Sequence, residues 1–130
     1  MLRKAIPKDV EKIKKLIDWA SHQNKVLPRR LEEIKEVLNC FYVWEENCEI
    51  VGCCSLEIYN KKLAEIRSLV VSSKYQNRGV GTNLVKACLK EAREKGVYEV
   101  LVVTDKVRFF HKLGFRKCLN NQFPMFIKLK

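Results

Sequence analysis

The sequence predicts an α/β protein, α+β in its arrangement, with a central mixed and mostly antiparallel sheet of six to seven strands and about four helices. Three observations lead there. Two long segments carry apolar residues at helical period on one face: Val10, Ile13, Leu16, Ile17 and Ala20 in the first, and Val80, Leu84, Val85, Cys88, Leu89 and Ala92 in the second. Between them, residues 41–71 read as three strands broken by short polar turns, an antiparallel meander. After the second helix, Tyr98 to Val103 is a continuous apolar run. That composition suits a buried strand lying parallel to its neighbour, with the helix as the crossover.

In chain order, Leu2 to Ala5 is a short first strand, and Pro7 precedes the first helix, whose opening turn holds Asp9 and Glu11 against the positive end of its dipole. Asn24 to Pro28 breaks that helix, and Leu31, Ile34, Val37 and Leu38 give the face of a shorter one. Phe41 to Trp44, Ile50 to Tyr59 and Leu63 to Val71 form the meander, with turns at residues 45–49 and 60–62. A helix over 78–95 ends at Gly96. A last helix over 105–113 ends at Gly114, and Phe115 to Cys118 and Met125 to Leu129 are expected as terminal strands around Asn120-Asn121.

With 130 residues and 47% hydrophobic content, the chain can bury one core, so residues 1–130 are expected to form a single domain. No apolar run is long enough to span a bilayer, and the N-terminus turns polar at Arg3-Lys4, unlike the apolar core of a signal peptide. A cytoplasmic location is the expectation. Lys and Arg number 26 against 15 Asp and Glu, a net charge of +11 that attracts anionic ligands. The basic residues alternate with acidic ones along helices, as in Lys90-Glu91-Ala92-Arg93-Glu94-Lys95, and no aromatic platform is interleaved with them. This disfavours the competing class, a basic nucleic-acid-binding module. The six cysteines form no C-x-x-C pair, and His22 and His111 are not at zinc-finger spacing, so no metal site is expected. Cys53 and Cys88 fall on apolar patterns and are expected as packed free thiols.

The most informative stretch is Gln76-Asn77-Arg78-Gly79-Val80-Gly81, where two of five glycines sit between a strand and a helix start. Amides in the first turn of a helix have no carbonyl partner and the dipole is positive there, so a glycine-bearing entry presents N–H groups to an anion. The stretch lacks the Gly-Lys-Ser/Thr ending of a nucleotide P-loop and the third glycine of a dinucleotide fingerprint. A plain strand-to-helix turn is the bland alternative. Gln-x-x-Gly-x-Gly in this context resembles the pyrophosphate loop of the GNAT family of N-acetyltransferases, which use acetyl-CoA. Arg108-Phe109-Phe110-His111-Lys112-Leu113-Gly114-Phe115 resembles the same family's second hallmark, and the element order matches over essentially the whole chain. Leu27-Pro28-Arg29-Arg30 and Leu63-Ala64-Glu65-Ile66-Arg67-Ser68-Leu69 narrow the likeness to the acetyltransferase domain of N-acetylglutamate synthases.

The resemblance implies an acyltransferase that moves acetyl from acetyl-CoA to the α-amine of an amino acid, glutamate first, at the entry to arginine biosynthesis. A transferase acting on protein N-termini or other small amines is the alternative. Regulation by arginine through a kinase-like domain is not expected, and the sequence leaves a homodimer open. The resemblance assigns the CoA pyrophosphate to Gln76, Asn77, Arg78, Gly79, Val80, Gly81 and Thr82, pantetheine to Leu69, Val70 and Val71, and further cofactor contacts to Phe110 and Lys112. It places the general base at Glu65 and the oxyanion donor at the amide near Leu69 or Val70. The family's tyrosine acid falls at Phe110, which has no proton to give, so Thr104 is the candidate hydrogen-bond partner for the sulfur. His111 is expected at the surface or cofactor rim. Arg29 or Arg30 would hold the α-carboxylate and Arg67 the side-chain carboxylate. Read from the residues alone, period two puts Glu65, Arg67, Leu69 and Val71 on one face of their strand, where Glu65 and Arg67 could equally form a structural ion pair.

Overall fold

A computed structural model describes residues 1–130. Its elements are β1 (Leu2–Lys4), α1 (Val10–His22), α2 (Leu31–Glu36), β2 (Phe41–Glu46), β3 (Glu49–Ile58), β4 (Leu63–Val71), α3 (Val80–Glu94), β5 (Glu99–Val102) and α4 (Val107–Lys112). The strands form one sheet in the order β1-β2-β3-β4-β5, antiparallel except for the parallel β4/β5 pair that α3 connects. No helix is long and apolar enough to cross a membrane.

The two helical faces read from the sequence bury opposite sides of this sheet. Val10, Ile13, Ile17 and Ala20 of α1, with Ile34 of α2, pack on Phe41, Val43, Cys53 and Val70. Leu84, Val85, Cys88 and Ala92 of α3, with Phe110 of α4, pack on Cys54, Leu56, Ala64 and Ile66. Helix α3 comes close to the central strand at Gly52, where an added Cβ would lie 3.0 Å from Val80 Cγ1 and 3.2 Å from Leu84 Cδ1. Both side chains sit in the packed core, Leu84 fully buried and Val80 nearly so, and would have to shift to make room. Gly52→Ala is expected to cost about 1–3 kcal/mol, as core overpacking does, read as a fall in the urea midpoint.

The sheet has five strands, fewer than the six to seven expected, because the two terminal strands do not form. Asn120 and Asn121 do reverse the chain, with φ of 53° and 60°. The Leu119 and Gln122 amides each donate to the other's carbonyl, at 3.2 and 2.8 Å. In an antiparallel ladder the next such exchange falls two residues along each arm, at Lys117 and Pro124. Proline has no N–H to donate, so the hairpin stops there. The apolar pattern at Met125 to Leu129 resembles a strand in composition, but its turn cannot propagate into one.

A second departure matters more for function. Val70 lies opposite Cys53 and Arg67 opposite Ser55, so β4 uses three steps where β3 uses two. The extra residue makes a β-bulge, and Ser68 within it has φ of 54°. Beyond the bulge the side-chain alternation is inverted. Ala64 and Ile66 face α3, as do Leu69 and Val71, whereas Val70 joins the α1 core. Glu65 and Arg67 therefore do not share a face with Leu69 and Val71, contrary to a simple period of two. An uninterrupted alternation cannot foresee the inserted residue, since Ser68 fits the pattern on composition.

Candidate active site

A cleft of about 770 Å³ opens where β4 and β5 part. The two strands pair only over four residues each, Leu63–Ile66 with Glu99–Val102, so the end of β4 from Arg67 onward has no neighbour on that side. The Ser72 amide donates to Val51 on β3 at 2.8 Å. By alternation the Val71 and Leu69 amides point away from β3, toward the open side. A linear thioester arm could pair there as an added strand, with the bulge presenting an N–H to the acyl carbonyl.

At the end of β4 the Gln76 side-chain amide donates to Val71 O at 2.9 Å, which ties the glycine loop to the strand. Asn77 and Gly79 take positive φ, 63° and 84°, and Gly79 is the N-cap of α3. The first amide to bond back onto the loop is that of Asn83, to Gly79 O at 3.0 Å, so those of Val80, Gly81 and Thr82 precede the intrahelical ladder. Gly81 packs on Phe109 and Val71, whose atoms would lie at contact distance, 3.5 and 3.6 Å, from an added Cβ. Gln76, Asn77, Gly79, Gly81 and Thr82 all line the cleft. Arg78 and Val80 are not in its walls: the Arg78 guanidinium sits over the Tyr75 ring at 5.4 Å, and the Val80 side chain is buried in the core. Lys112 is exposed and outside the walls, whereas Phe110 lines them, in edge-to-face contact with Phe109 and Phe115.

The opposite half of the cleft is lined by Trp19 of α1, by Lys25, Leu27 and Pro28 from the α1–α2 connection and by Glu65, Arg67 and Ser68 from β4. Glu65 accepts a hydrogen bond from the Tyr59 hydroxyl at 2.5 Å. Partial burial and that bond push the Tyr59 phenol up to about 12. Across the cleft, Thr104 Oγ1 accepts the Lys106 amide at 2.9 Å, which fixes the hydroxyl and leaves its hydrogen to donate elsewhere.

Behind this wall lies a buried charge cluster centred on Glu57 of β3. Arg29 grips it with both terminal nitrogens, at 2.7 and 3.3 Å; Ser55 Oγ lies 2.8 Å away and Arg67 Nη1 3.3 Å away. Burial alone would raise the Glu57 carboxyl, but the hydrogen bonds from Arg29 and Ser55 and the two guanidinium charges outweigh it and hold it below the ordinary range. Arg29 is 4% exposed and does not line the cleft, and its Nε is buried with no partner. Arg30 is exposed, pairs with Glu33 at 3.1 Å and lies away from the walls. Of the three arginines picked out from the sequence, Arg67 alone faces the cleft, and Arg29 reaches it through Glu57 and Ser68. Sequence reasoning missed Glu57, Tyr59 and Lys25. A carboxylate inside the mostly apolar central strand was the available signal for Glu57; Tyr59 reads as the last residue of a strand and Lys25 as part of the break after the first helix.

Residues 11–115 match the Acetyltransferase (GNAT) family. The chain belongs to this family. An uncharacterized N-acetyltransferase of Chlorobaculum tepidum is 33% identical over 123 residues, 95% of this chain and 79% of that protein. An amino-acid acetyltransferase of Mycobacterium tuberculosis is 31% identical over 119 residues, 88% of this chain and 67% of its own length. Among solved structures, an M. tuberculosis protein in complex with CoA and NLQ superposes with a TM-score of 0.86 at 30% identity, over 92% of this chain and 73% of that one. N-acetylglutamate synthase from Neisseria gonorrhoeae, complexed with coenzyme A and N-acetyl-glutamate, also gives 0.86, at 25% identity over 95% of this chain and 30% of the synthase. This GNAT protein is thus an N-acetyltransferase, and acetyl-CoA is the cosubstrate of its family.

Proposed function

We propose that this GNAT enzyme acetylates the α-amine of an amino acid, with L-glutamate as the preferred acceptor, which would place it at the entry to arginine biosynthesis. The observation that carries the reading is one cleft whose β4 wall sets a carboxylate, Glu65, and a guanidinium, Arg67, beside the bulge amides, facing a glycine loop of open N–H groups. In this reading Gly79, Gly81, Thr82 and their neighbours receive the CoA pyrophosphate, Arg78 and Val80 contributing backbone alone. Pantetheine runs along Leu69 to Val71, and Phe110 walls it in.

Glu65 takes a proton from the acceptor ammonium, which frees the nitrogen lone pair to attack the thioester carbonyl; as the C–S bond breaks, the attached nitrogen gives up a second proton and the sulfur leaves as the thiol of CoA. The N–H of Leu69, on the open side of β4, receives the oxyanion, and the Thr104 hydroxyl donates to the departing thiolate. Arg67 binds an acceptor carboxylate directly. Arg29, buried and bound to Glu57, supports the same pocket indirectly, by fixing the carboxylate that also holds Arg67. A guanidinium facing the cleft near one base favours an acceptor with a carboxylate close to its amine over a lysine side chain. The M. tuberculosis and N. gonorrhoeae relatives, named for amino-acid acetylation and N-acetylglutamate synthesis, support the acceptor class.

The test is thiol release from acetyl-CoA with a panel of amino acids. Turnover is expected with glutamate and, more weakly, with glutamine or aspartate; turnover confined to lysine or to peptide N-termini would reject the acceptor assignment. Tyr59→Phe removes a bond that aims the Glu65 carboxylate. A hydrogen bond of about 1 kcal/mol corresponds to roughly fivefold in rate. The expected result is therefore a roughly fivefold lower kcat at saturating substrates, with the KM for acetyl-CoA unchanged.

A further inference from the structure

The charged side chains in the cleft walls are Lys25, Glu65, Arg67, Asp105 and Lys106. Glu65 and Arg67, two residues or about 7 Å apart along β4, point away from α3, to the side of the sheet that α1 covers. That spacing suits the two groups an α-amino acid carries on one carbon, the amine at Glu65 and the α-carboxylate at Arg67. The resemblance gives the α-carboxylate to Arg29 or Arg30, but both lie outside the walls. The second carboxylate of an acidic amino acid, at the far end of its side chain, then needs another cation.

Asp105 and Lys106 follow β5 beside Thr104, at the sulfur's end of the proposed site, and are neighbours of opposite charge. Lys25 comes instead from the end of α1, on the side that Glu65 and Arg67 face. Helix α1 closes in a Schellman motif: Asn24 takes a φ of 56°, its amide donates to Ser21 O at 3.0 Å, and the Lys25 amide donates to Ala20 O at 3.0 Å. These bonds fix the backbone that carries Lys25. Its ammonium lies 5.6 Å from the centroid of the Trp19 ring, another wall residue, which packs on the α1 core. No carboxylate pairs with it, whereas Lys14 of α1 is held by Asp18 and by Arg29 O. Four residues after Lys25, Arg29 donates to Ser68 Oγ at 3.4 Å, which draws the α1–α2 connection against β4 next to Arg67.

On the reading that an α-amino acid is the acceptor, we propose that Lys25 receives the acceptor's side-chain carboxylate and selects an acidic amino acid over its amide. Glu65 and Arg67 recognise the groups common to all α-amino acids; Lys25 chooses among them. Arg67 cannot serve both carboxylates, because Glu57 already holds one of its nitrogens at 3.3 Å. An ammonium has three donors and no acceptor, so it can bond the oxygen of a carboxylate or of an amide, but only the carboxylate also cancels its charge.

Steady-state kinetics with glutamate and glutamine, at saturating acetyl-CoA, test the assignment on the wild type, Lys25→Met and Lys25→Arg. The wild type should prefer glutamate. Lys25→Met keeps the length and apolar stem of the side chain and removes its charge. Its kcat/KM for glutamate should fall roughly tenfold, through KM, the lower end for a hydrogen bond to a charged group because Lys25 is exposed. Its kcat/KM for glutamine should be unchanged, and Lys25→Arg should keep the wild-type preference. A glutamate-to-glutamine ratio that Lys25→Met leaves unaltered, whether both rates fall together or neither does, would mean that Lys25 only shapes the wall and would overturn the proposal. So would a wild type that uses glutamine as well as glutamate. A wild type that acetylates no free amino acid removes the acceptor reading itself, and the role of Lys25 with it, before any variant is made.

Discussion

Glu65→Gln is expected to lower kcat by about 10²–10⁴-fold, the range in which a positioned general base contributes. The substitution keeps size and the contact to Tyr59 but removes the proton acceptor. KM for acetyl-CoA should stay near the wild-type value, because the glycine loop and the open edge of β4, which are proposed to bind it, are untouched. Stability should change by no more than about 0.5 kcal/mol, as at other partly exposed positions outside the core. The rate of the variant should climb steadily as pH rises and the free amine accumulates in solution, narrowing its deficit against the wild type. A variant within about twofold of wild type would show that the Glu65–Tyr59 contact is structural, since general-base removal cannot be that mild.

The second large effect is on stability. Glu57→Gln leaves the Arg29 guanidinium, 4% exposed, inside the protein without its counter-charge. Breaking a buried ion pair from one side costs about 3–5 kcal/mol, and the glutamine amide recovers one hydrogen bond, so about 3 kcal/mol is expected near neutral pH. For a chain of this size that is a fall in Tm of roughly 10 °C. The pH dependence has a definite sign. The Glu57 carboxyl is held below its ordinary value of 4.5, so its contribution is fully present above that value and is lost as pH falls through the lower value in the folded state. The gap between wild type and variant, measured by urea unfolding, should therefore be widest near neutral pH and close in acid. An equal gap at every pH would mean that the loss comes from packing rather than charge.

The elements with strong periodicity could be read without coordinates. α1 and α3 each bury the face that their 3.6-residue spacing marks, and the meander pairs as expected because polar turns bound its strands. The glycine loop was legible for a local reason: positive φ at Gly79 and free helix amides depend on residues within a few positions. What was not legible depends on partners far along the chain. The bulge at Ser68 exists only in the register of β4 against β3, and it moves Leu69 and Val71 to the face opposite Glu65 and Arg67. Arg29 reads as a loop cation until Glu57, 28 residues on, is seen to bind it. The terminal strands fail through the register that the Asn120-Asn121 turn imposes on Pro124.

Transfer of acetyl to the α-amine of an acidic amino acid is the reaction proposed for the cleft. The most direct measurement supplies carbon-13 acetyl-CoA to an equimolar mixture of the protein amino acids and a short unblocked peptide, and identifies the labelled products by mass spectrometry. N-acetylglutamate is expected as the major product, formed by the wild type and nearly absent with Glu65→Gln. Label found chiefly on the lysine side chain or on the peptide N-terminus would contradict it.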